Sequence, residues 1–545
     1  MKNTRKMSER LWAFLLAAML LITSCMTVFA TEESTGTGTA PSANDKGTIT
    51  VTNVTGNPTL TAYKIVEGKY DDNGFVGYEL VNAVKGDIGK VTDPTAAEIF
   101  AIAKKISDNQ VTLESVTLTK SGDNYVAEGL GVGEYIVIAT NTDTVVYNPM
   151  IVSVYYDVNG VHAGTVSATD NWKITGSTTV AKSAEPRIDK TIPAASSTGK
   201  NGYDAAIGDK IEYQVEADIP SYSDQYDTDT LKYTITDTMS TGLELQKDAK
   251  VFVDGQEVAE PENAFTVGYE GQTMTIDFKP AYIKENGGKR VKVTYSGILL
   301  NAAKVNMDAN DNTAKVEYTN KPGQATGGEK NTTEKESKTY TYTFELDGKI
   351  SASATVTGNG KKTHEIIKVD ENGNQTKIDE TTEVDENGEH TIEHALEGAT
   401  FKLTNNATGK EYTATTDKNG YFNGFKGLDA GEYTLQETAA PTGYSLDPTQ
   451  HTVKIEAFYN ENGTLDHYTV KIDGTATSTY KATYGEDKKL TEVKAEGEVT
   501  TTFIKNTKLG SLPATGGIGT YIFTVIGVAL MVIAAVMYLR KRKAA

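Results

Sequence analysis

An apolar run near the C-terminal end, from Ile518 to Leu539, constrains this chain more than any other segment. It contains 22 residues, and an α-helix of that length, rising ~1.5 Å per residue, would cross the ~30 Å hydrocarbon layer of a membrane. The run is followed by a basic cluster, Arg540 to Lys543, of the kind that stays on the cytoplasmic side. We therefore expect the residues before Ile518 to fold outside the cell.

The five residues Leu512, Pro513, Ala514, Thr515 and Gly516 stand just before this span. They resemble the LPxTG sorting signal of Gram-positive surface proteins. The resemblance implies that a sortase cysteine attacks the carbonyl of Thr515, releases Gly516 with the membrane tail, and passes the acyl group to an amine. A chance turn ahead of an ordinary membrane anchor is the alternative, but the order of motif, span and basic tail favours a sorting signal.

The N-terminal end has the features of an export signal, which predicts a cleaved signal peptide over residues 1–30. A basic region precedes an apolar stretch from Leu11 to Ile22, and Ala30 closes a small-residue cleavage site. Cys25 ends a short segment that also resembles a lipobox, so lipid attachment at Cys25 is an open alternative.

Composition excludes several classes of function. The formal net charge of -20 at pH 7 argues against nucleic-acid binding. Cys25 is the single cysteine, so a chain cut after Ala30 has no disulfide bonds, although the compartment would permit them. Because no phosphate-binding loop, nucleophile motif or paired-carboxylate site stands out, we expect no enzymatic activity, no cofactor and no metal site.

Between the two targeting segments, short alternating stretches are separated by Asn, Asp and Gly, a pattern typical of antiparallel strands. It predicts an all-β protein built from tandem β-sandwiches. One helix is expected in the first domain, capped by Asp93. Its apolar face consists of Ile99, Ile102, Ala103 and Ile106. The predicted segments are a flexible stretch at 31–46, a first domain at 47–185, a middle domain at 186–322, a linker at 323–338, a third domain at 339–508 and the sorting segment at 509–545.

The third domain carries the most specific motif in the chain. The segment from Tyr433 to Tyr444 closely resembles the E-box of sortase-assembled pilins, and Leu396 to Phe401 resembles the opening strand of collagen-adhesin B-type Ig-like domains. In that family the E-box glutamate promotes an isopeptide bond between a lysine on an early strand and an asparagine on the last strand. The resemblance implies that Glu437 is this glutamate and Asn506 this asparagine.

The lysine of that bond is expected to be Lys368, which matches the family's strand best, with Lys349 as the alternative. A long insertion between Lys368 and Leu396 leaves the register open. Only a neutral amine can attack an amide, and burial favours the neutral form by lowering the lysine pKa. A carboxyl buried beside it is likewise kept protonated, and it can hydrogen-bond the asparagine carbonyl while ammonia leaves.

The middle domain contains a parallel set, in which the resemblance implies Lys190 as the lysine, Asp237 as the acid and Asn320 as the asparagine. A Lys190–Asn320 bond would join the first and last strands and, by analogy with a disulfide, would stabilise the domain by ~4–5 kcal/mol. The first domain has Glu134 in a similar turn, but the rest of the E-box is missing. We expect no internal bond there.

Lys182 lies between the first and middle domains, where backbone pilins of this family carry the lysine that accepts the threonine of the next subunit. The usual Tyr-Pro before that lysine is replaced by Val180 and Ala181, and most lysines are simply solvated. Its position between domains favours Lys182 as the acceptor, with Lys173 as the fallback.

The chain is therefore expected to be a backbone pilin of a Gram-positive fimbria. The expected partners are pilin-specific and housekeeping sortases, other copies of the chain, minor or tip pilins and peptidoglycan, with the membrane bound only transiently. The alternative is a monomeric or pilus-base adhesin anchored to the cell wall. Both share the localisation, a secreted protein held at the cell surface.

Overall fold

The computed structural model describes residues 35–36, 38–91, 93–195, 201–258, 263–322, 331–358, 364–373, 392–496, 501–510 and 518–543. Strands dominate the described residues, which confirms the predicted all-β class. The chain forms two compact units. The first holds residues up to Tyr203 with 208–302 and 310–340, and the second holds 204–207, 303–309 and the residues from 341 onward.

The first domain of the first unit is a sandwich with an added helix. Its larger sheet has the order β1-β13-β10-β8-β3-β4-β12, with β5 and β11 at its margins, and faces a second sheet, β14-β2-β7-β6. Side chains such as Val51, Val137 and Tyr156 fill the space between the sheets. The strands are β1 (Thr35–Gly36), β2 (Lys46–Thr52), β3 (Thr59–Asp71), β4 (Gly74–Leu80), β5 (Ser115–Thr117), β6 (Thr119–Ser121), β7 (Asn124–Gly131), β8 (Gly133–Thr140), β9 (Val146–Tyr147), β10 (Met150–Val158), β11 (Val161–His162), β12 (Val166–Ser167), β13 (Trp172–Gly176), β14 (Thr178–Val180) and β15 (Ser183–Ala184).

Helix α1 (Ala96–Ser107) covers the outer face of the larger sheet. Its buried residues are the four that the sequence predicts: Ile99, Ile102, Ala103 and Ile106. The predicted cap at Asp93 is wrong by two residues. Thr95 is the N-cap, because its side chain accepts the backbone N–H of Glu98 while the Glu98 carboxylate accepts that of Thr95, a reciprocal capping box.

The middle domain, also in the first unit, consists of two facing sheets. Their orders are β16-β18-β25-β21-β22, with β20 paired to β25, and β17-β27-β26-β19-β24-β23. A short helix, α2 (Pro280–Glu285), follows β24. The strands are β16 (Ile188–Thr191), β17 (Gly202–Asp204), β18 (Lys210–Asp218), β19 (Tyr233–Met239), β20 (Leu243–Leu245), β21 (Lys250–Val253), β22 (Gln256–Glu257), β23 (Phe265–Glu270), β24 (Thr273–Phe278), β25 (Arg290–Leu299), β26 (Asn310–Thr319) and β27 (Thr332–Tyr342).

The linker predicted at 323–338 is wrong for its second half, because β27 begins at Thr332 and pairs with β26. Its charged residues gave the segment a linker-like composition, yet they lie within a strand. Lys315 of β26 reaches Glu334 at 3.1 Å, and the hydroxyl of Ser337 accepts the backbone N–H of Lys190 at 3.0 Å. A strand with one solvated face can carry such a sequence.

The second unit contains a long sheet and a two-stranded parallel sheet. The long sheet has the order β29-β39-β38-β37-β36-β35-β31-β32-β33; β30 and β40 form the parallel pair, and β28 pairs β34. The strands are β28 (Phe344–Glu345), β29 (Thr355–Gly358), β30 (Ile366–Asp370), β31 (Thr400–Asn405), β32 (Glu411–Thr416), β33 (Phe422–Asn423), β34 (Lys426–Leu428), β35 (Gly431–Ala439), β36 (Gln450–Tyr459), β37 (Leu465–Ile472), β38 (Thr475–Tyr484), β39 (Leu490–Glu496) and β40 (Thr502–Asn506).

The apolar run near the C-terminal end forms helix α3 (Ile518–Lys543). Within it, Phe523–Arg540 has a mean hydropathy of 2.1 and is long and apolar enough to cross a membrane. The sorting motif Leu512 to Gly516, the signal peptide and Cys25 lie outside the described residues.

Candidate cross-link sites

The third domain brings Lys368 and Asn506 onto adjacent strands. Lys368 lies in β30 and Asn506 ends β40, and in the parallel register Lys368 is opposite Ile504 while Asn506 is opposite Asp370. Residues two apart on a strand face the same side, so the two side chains enter the same core. Both residues are buried.

Glu437 lies between these two side chains. It comes from β35 of the long sheet, and its side chain is 1% exposed. The Nδ2 of Asn506 lies 3.1 Å from each carboxylate oxygen of Glu437, and Lys368 Nζ lies 3.4 Å from Oε1. The carboxyl predicted to promote the bond thus contacts both predicted partners.

Lys368 is in an environment that disfavours a charged amine. Burial lowers its pKa, although the nearby charge of Glu437 opposes this effect. The ring of Phe401 lies 5.3 Å from Nζ, and among the described residues Nζ has no hydrogen-bond partner. A buried ammonium without hydrogen bonds is costly, whereas a neutral amine or an amide nitrogen is not. The carbonyl oxygen of Asn506 is also buried without a partner.

The structure separates Lys349 from this cluster. Lys349 is exposed, and its backbone carbonyl accepts a hydrogen bond from Asn306 at 2.9 Å. Of the two lysines left open by the sequence, only Lys368 faces Glu437.

The middle domain contains a second buried cluster around Lys190. Lys190 and Asp237 have side chains with 0% exposure and form an ion pair, and Lys190 also donates a hydrogen bond to the hydroxyl of Tyr295. Burial lowers the pKa of Lys190, while Asp237 opposes that shift. The predicted lysine and acid therefore lie together.

Asn320, the predicted partner of Lys190, lies elsewhere. It follows the last residue of β26 and contacts the first domain, where its side-chain amide donates to the carbonyl of Asp143 and to the hydroxyl of Thr142. The hydroxyl of Tyr226 donates to the Asn320 carbonyl at 3.4 Å. The assignment of Asn320 to the Lys190 cluster is therefore wrong: its contacts hold the first and middle domains together within their unit.

Asn312 occupies the position assigned to Asn320. Its Nδ2 donates to the Tyr295 hydroxyl at 3.2 Å, the same hydroxyl that Lys190 contacts, and Asn312 is fully buried. Eight residues of strand at ~3.4 Å each separate it from Asn320 by ~27 Å, too far for one to replace the other. In β26 the buried positions alternate from Asn310 to Tyr318, so the period of two could have identified Asn312 as facing the core.

The proposed acceptor Lys182 has an exposed side chain on a fixed backbone. It lies between β14 and β15; its carbonyl accepts the N–H of Asn148 at 2.9 Å, and the preceding residue, Ala181, is buried and bonds Thr52. Lys173 instead lies within β13, opposite Thr35 and Asp157, and is half-buried. Of the two, Lys182 has the more accessible amine.

Glu134 of the first domain is in a different setting from Glu437. Burial raises its pKa to about 7, and its Oε2 has no hydrogen-bond partner among the described residues. Lys64, a largely buried lysine of this domain, is 3.8 Å from Glu114.

Four protein families match successive parts of the sequence. They are the T6 antigen Ig-like domain at residues 44–183, the Sgo0707 N2 domain at 192–334, the prealbumin-like fold domain at 380–473 and the LPXTG cell wall anchor motif at 504–545.

Individual proteins are also similar to this chain over most of its length. The trypsin-resistant surface T6 protein of Streptococcus pyogenes serotype M6 is 27% identical over 93% of this chain and 96% of its own length. The solved structure of the T6 backbone pilin of that serotype has a TM-score of 0.56 at 21% identity, covering 86% of this chain and 100% of its own. The major pilin SpaD of Corynebacterium diphtheriae has a TM-score of 0.44 at 18% identity, over 86% and 99% of the two chains.

The sandwiches and the LPXTG anchor define a multidomain surface protein attached to the Gram-positive cell wall. Over nearly its whole length the chain is similar to the T6 surface protein, and its fold is similar to that of the T6 backbone pilin.

Proposed function

We propose that this protein is the repeating subunit of a covalently polymerised fimbria that supports adhesion. A sortase joins Thr515 of one copy to Lys182 of the next, and the finished fibre is transferred to peptidoglycan. Pilin-specific and housekeeping sortases, tip or minor pilins and further copies of the chain are its partners.

Internal isopeptide bonds stiffen each subunit in this proposal. The third domain forms a Lys368–Asn506 bond promoted by Glu437, and the middle domain forms a Lys190–Asn312 bond promoted by Asp237. The contact of Glu437 with both Lys368 and Asn506 supports the third-domain bond, because three residues distant in sequence meet in one buried cluster. In the third domain the neutral amine attacks the amide carbon. The carboxyl of Glu437, which contacts both nitrogens, takes one proton from the amine and gives one to the departing nitrogen, and ammonia leaves.

Polymerisation is supported by the setting of Lys182. An acceptor amine must reach the acyl-sortase, so it has to be exposed, and a backbone that is fixed on both sides presents it in one orientation. The hydrogen bonds of Ala181 to Thr52 and of Asn148 to Lys182 meet this second requirement.

A monomeric or pilus-base adhesin is the second candidate, since it would use the same domains and anchor. The two differ in whether copies are joined. We would express the full chain in a Gram-positive host with its pilin sortase and resolve wall-released material on a denaturing gel. A repeating subunit gives a covalent high-mass ladder, which Lys182→Ala abolishes.

Lys173→Ala is the matched control, because it removes the neighbouring lysine that is partly covered by strand pairing. The ladder should survive this change. A ladder that survives Lys182→Ala would refute Lys182 as the acceptor, and the absence of any ladder from the unsubstituted chain would favour the adhesin.

A further inference from the structure

The hydroxyl of Tyr295 is the common contact of all three groups in the middle-domain cluster. It accepts hydrogen bonds from Lys190 Nζ and from Asn312 Nδ2, and it also hydrogen-bonds the carboxyl of Asp237. Tyr295 is 1% exposed and lies in β25, where its ring stacks on Tyr213 with 5.6 Å between ring centroids. The attacking nitrogen, the leaving nitrogen and the acid are thus joined through one buried oxygen.

The third-domain cluster is built differently. There the aromatic ring nearest to Lys368 is Phe401, which has no hydroxyl, and Glu437 itself contacts Asn506. In the middle domain the hydrogen bond of Asn312 goes to Tyr295. The two sites therefore differ in which group reaches the amide nitrogen that has to leave.

Forming the amide requires a proton to move between two nitrogens. Lys190 Nζ, which attacks as the neutral amine, loses one proton as it bonds to the Asn312 carbon, and Nδ2 must gain one to depart as ammonia. Bulk solvent does not reach the cluster, since Lys190, Asp237 and Asn312 are 0% exposed. A group that contacts both nitrogens can make the transfer without solvent.

We propose that the Tyr295 hydroxyl is a catalytic proton relay for the Lys190–Asn312 bond, a role that rests on the proposed cross-link. Oη takes the proton from Lys190 Nζ and gives its own to Asn312 Nδ2. The new C–N bond forms as the old one breaks, ammonia leaves, and Tyr295 and Asp237 return to their starting states. No oxidant, metal or external proton source is needed.

The test is a time course on the exported chain, residues 31–515, carrying Tyr295→Phe. Peptide mapping by mass spectrometry follows the fraction of Lys190 joined to Asn312 after purification. The phenylalanine keeps the ring, so the domain should fold, while bond formation should slow by ~100-fold or more, the lower range for general acid–base catalysis. The Lys368–Asn506 bond of the same molecules is an internal reference that should be unchanged.

Tyr233→Phe is the matched control. Tyr233 is equally buried in the same domain, but its hydroxyl has no hydrogen-bond partner among the described residues. The Tyr233→Phe chain should form the Lys190–Asn312 bond at the same rate as the unsubstituted chain.

Three outcomes would contradict either the proposed cross-link or the proposed relay. An unsubstituted chain without the Lys190–Asn312 peptide would refute the proposed cross-link itself. A Tyr295→Phe chain that cross-links at the normal rate would overturn the relay alone. A Tyr295→Phe chain whose middle domain does not fold would assign the hydroxyl a structural role and would also overturn the relay.

Discussion

Lys368 Nζ and Glu437 Oε1 lie 3.4 Å apart, and the two side chains are 0% and 1% exposed. The lysine comes from a two-stranded parallel sheet and the glutamate from the long sheet of the same unit. A buried pair of this kind rarely stabilises a protein as ions, because removing both charges from water costs more than their attraction returns. An amide bond from Lys368 to Asn506 removes the lysine charge. The proposed bond therefore explains why a lysine and a glutamate are buried together.

Substituting Glu437 with alanine should prevent the third-domain bond. The exported chain, residues 31–515, should then be heavier by one ammonia than expected from the substitution alone, and the third domain should lose ~4–5 kcal/mol, as for a disulfide closing a loop of ~100 residues. Intact mass and denaturant unfolding measure the two effects. Glu432→Ala is the control, since Glu432 is an exposed residue of the same strand. If the Glu437→Ala chain is still short of its calculated mass by the same number of ammonia molecules as the unsubstituted chain, the role of Glu437 is refuted.

Asn312 and Asn320 give opposite predictions in the middle domain. Asn312→Ala should restore one ammonia to the mass of the exported chain, because the amide that Lys190 attacks is gone. Asn320→Ala should leave the mass deficit intact and weaken only the contacts with Thr142 and Asp143. Intact mass with peptide mapping distinguishes them, and a deficit abolished by Asn320→Ala alone would reverse the assignment.

The sequence predicted the glutamate and the asparagine of the third-domain cluster because its motif specifies them. The E-box places Glu437 in a strand, and Asn506 stands at the end of an apolar strand just before the sorting segment. The choice between Lys368 and Lys349 remained open, and burial resolves it. Lys368 is enclosed by apolar side chains, whereas Lys349 is exposed.

The middle domain was harder to predict because strand ends are poorly marked in sequence. Asn320 comes two residues after Tyr318, and its place at the close of the domain favoured it. The alternation of buried residues in β26 instead selects Asn312, and its proximity to Lys190 depends on Tyr295, which comes from another strand and has no motif of its own. Strand β27 was missed because its charged residues resemble those of a linker.

Glu134 should make the stability of the first domain depend on pH. Its pKa is about 7 in the folded domain, against the ordinary 4.5, because of burial. Between these values the folded state binds more protons than the unfolded state, so the free energy of unfolding should fall as the pH rises from about 4.5 to 7.

Trp172 allows this effect to be measured in the whole exported chain. It is buried in the first domain, and the only other tryptophan, Trp12, lies in the predicted signal peptide, so the fluorescence of Trp172 reports unfolding of the first domain. Glu134→Gln, which stays neutral, should flatten the decline over this pH range. An equally steep decline in Glu134→Gln would assign the pH dependence to other groups.

The most direct test of the repeating-subunit account is tryptic mass spectrometry of fimbriae released from the cell wall. The account predicts a branched peptide in which the carbonyl of Thr515 is bonded to Nζ of Lys182. Wall-released material in which Thr515 is joined only to peptidoglycan, or to a lysine other than Lys182, would contradict it.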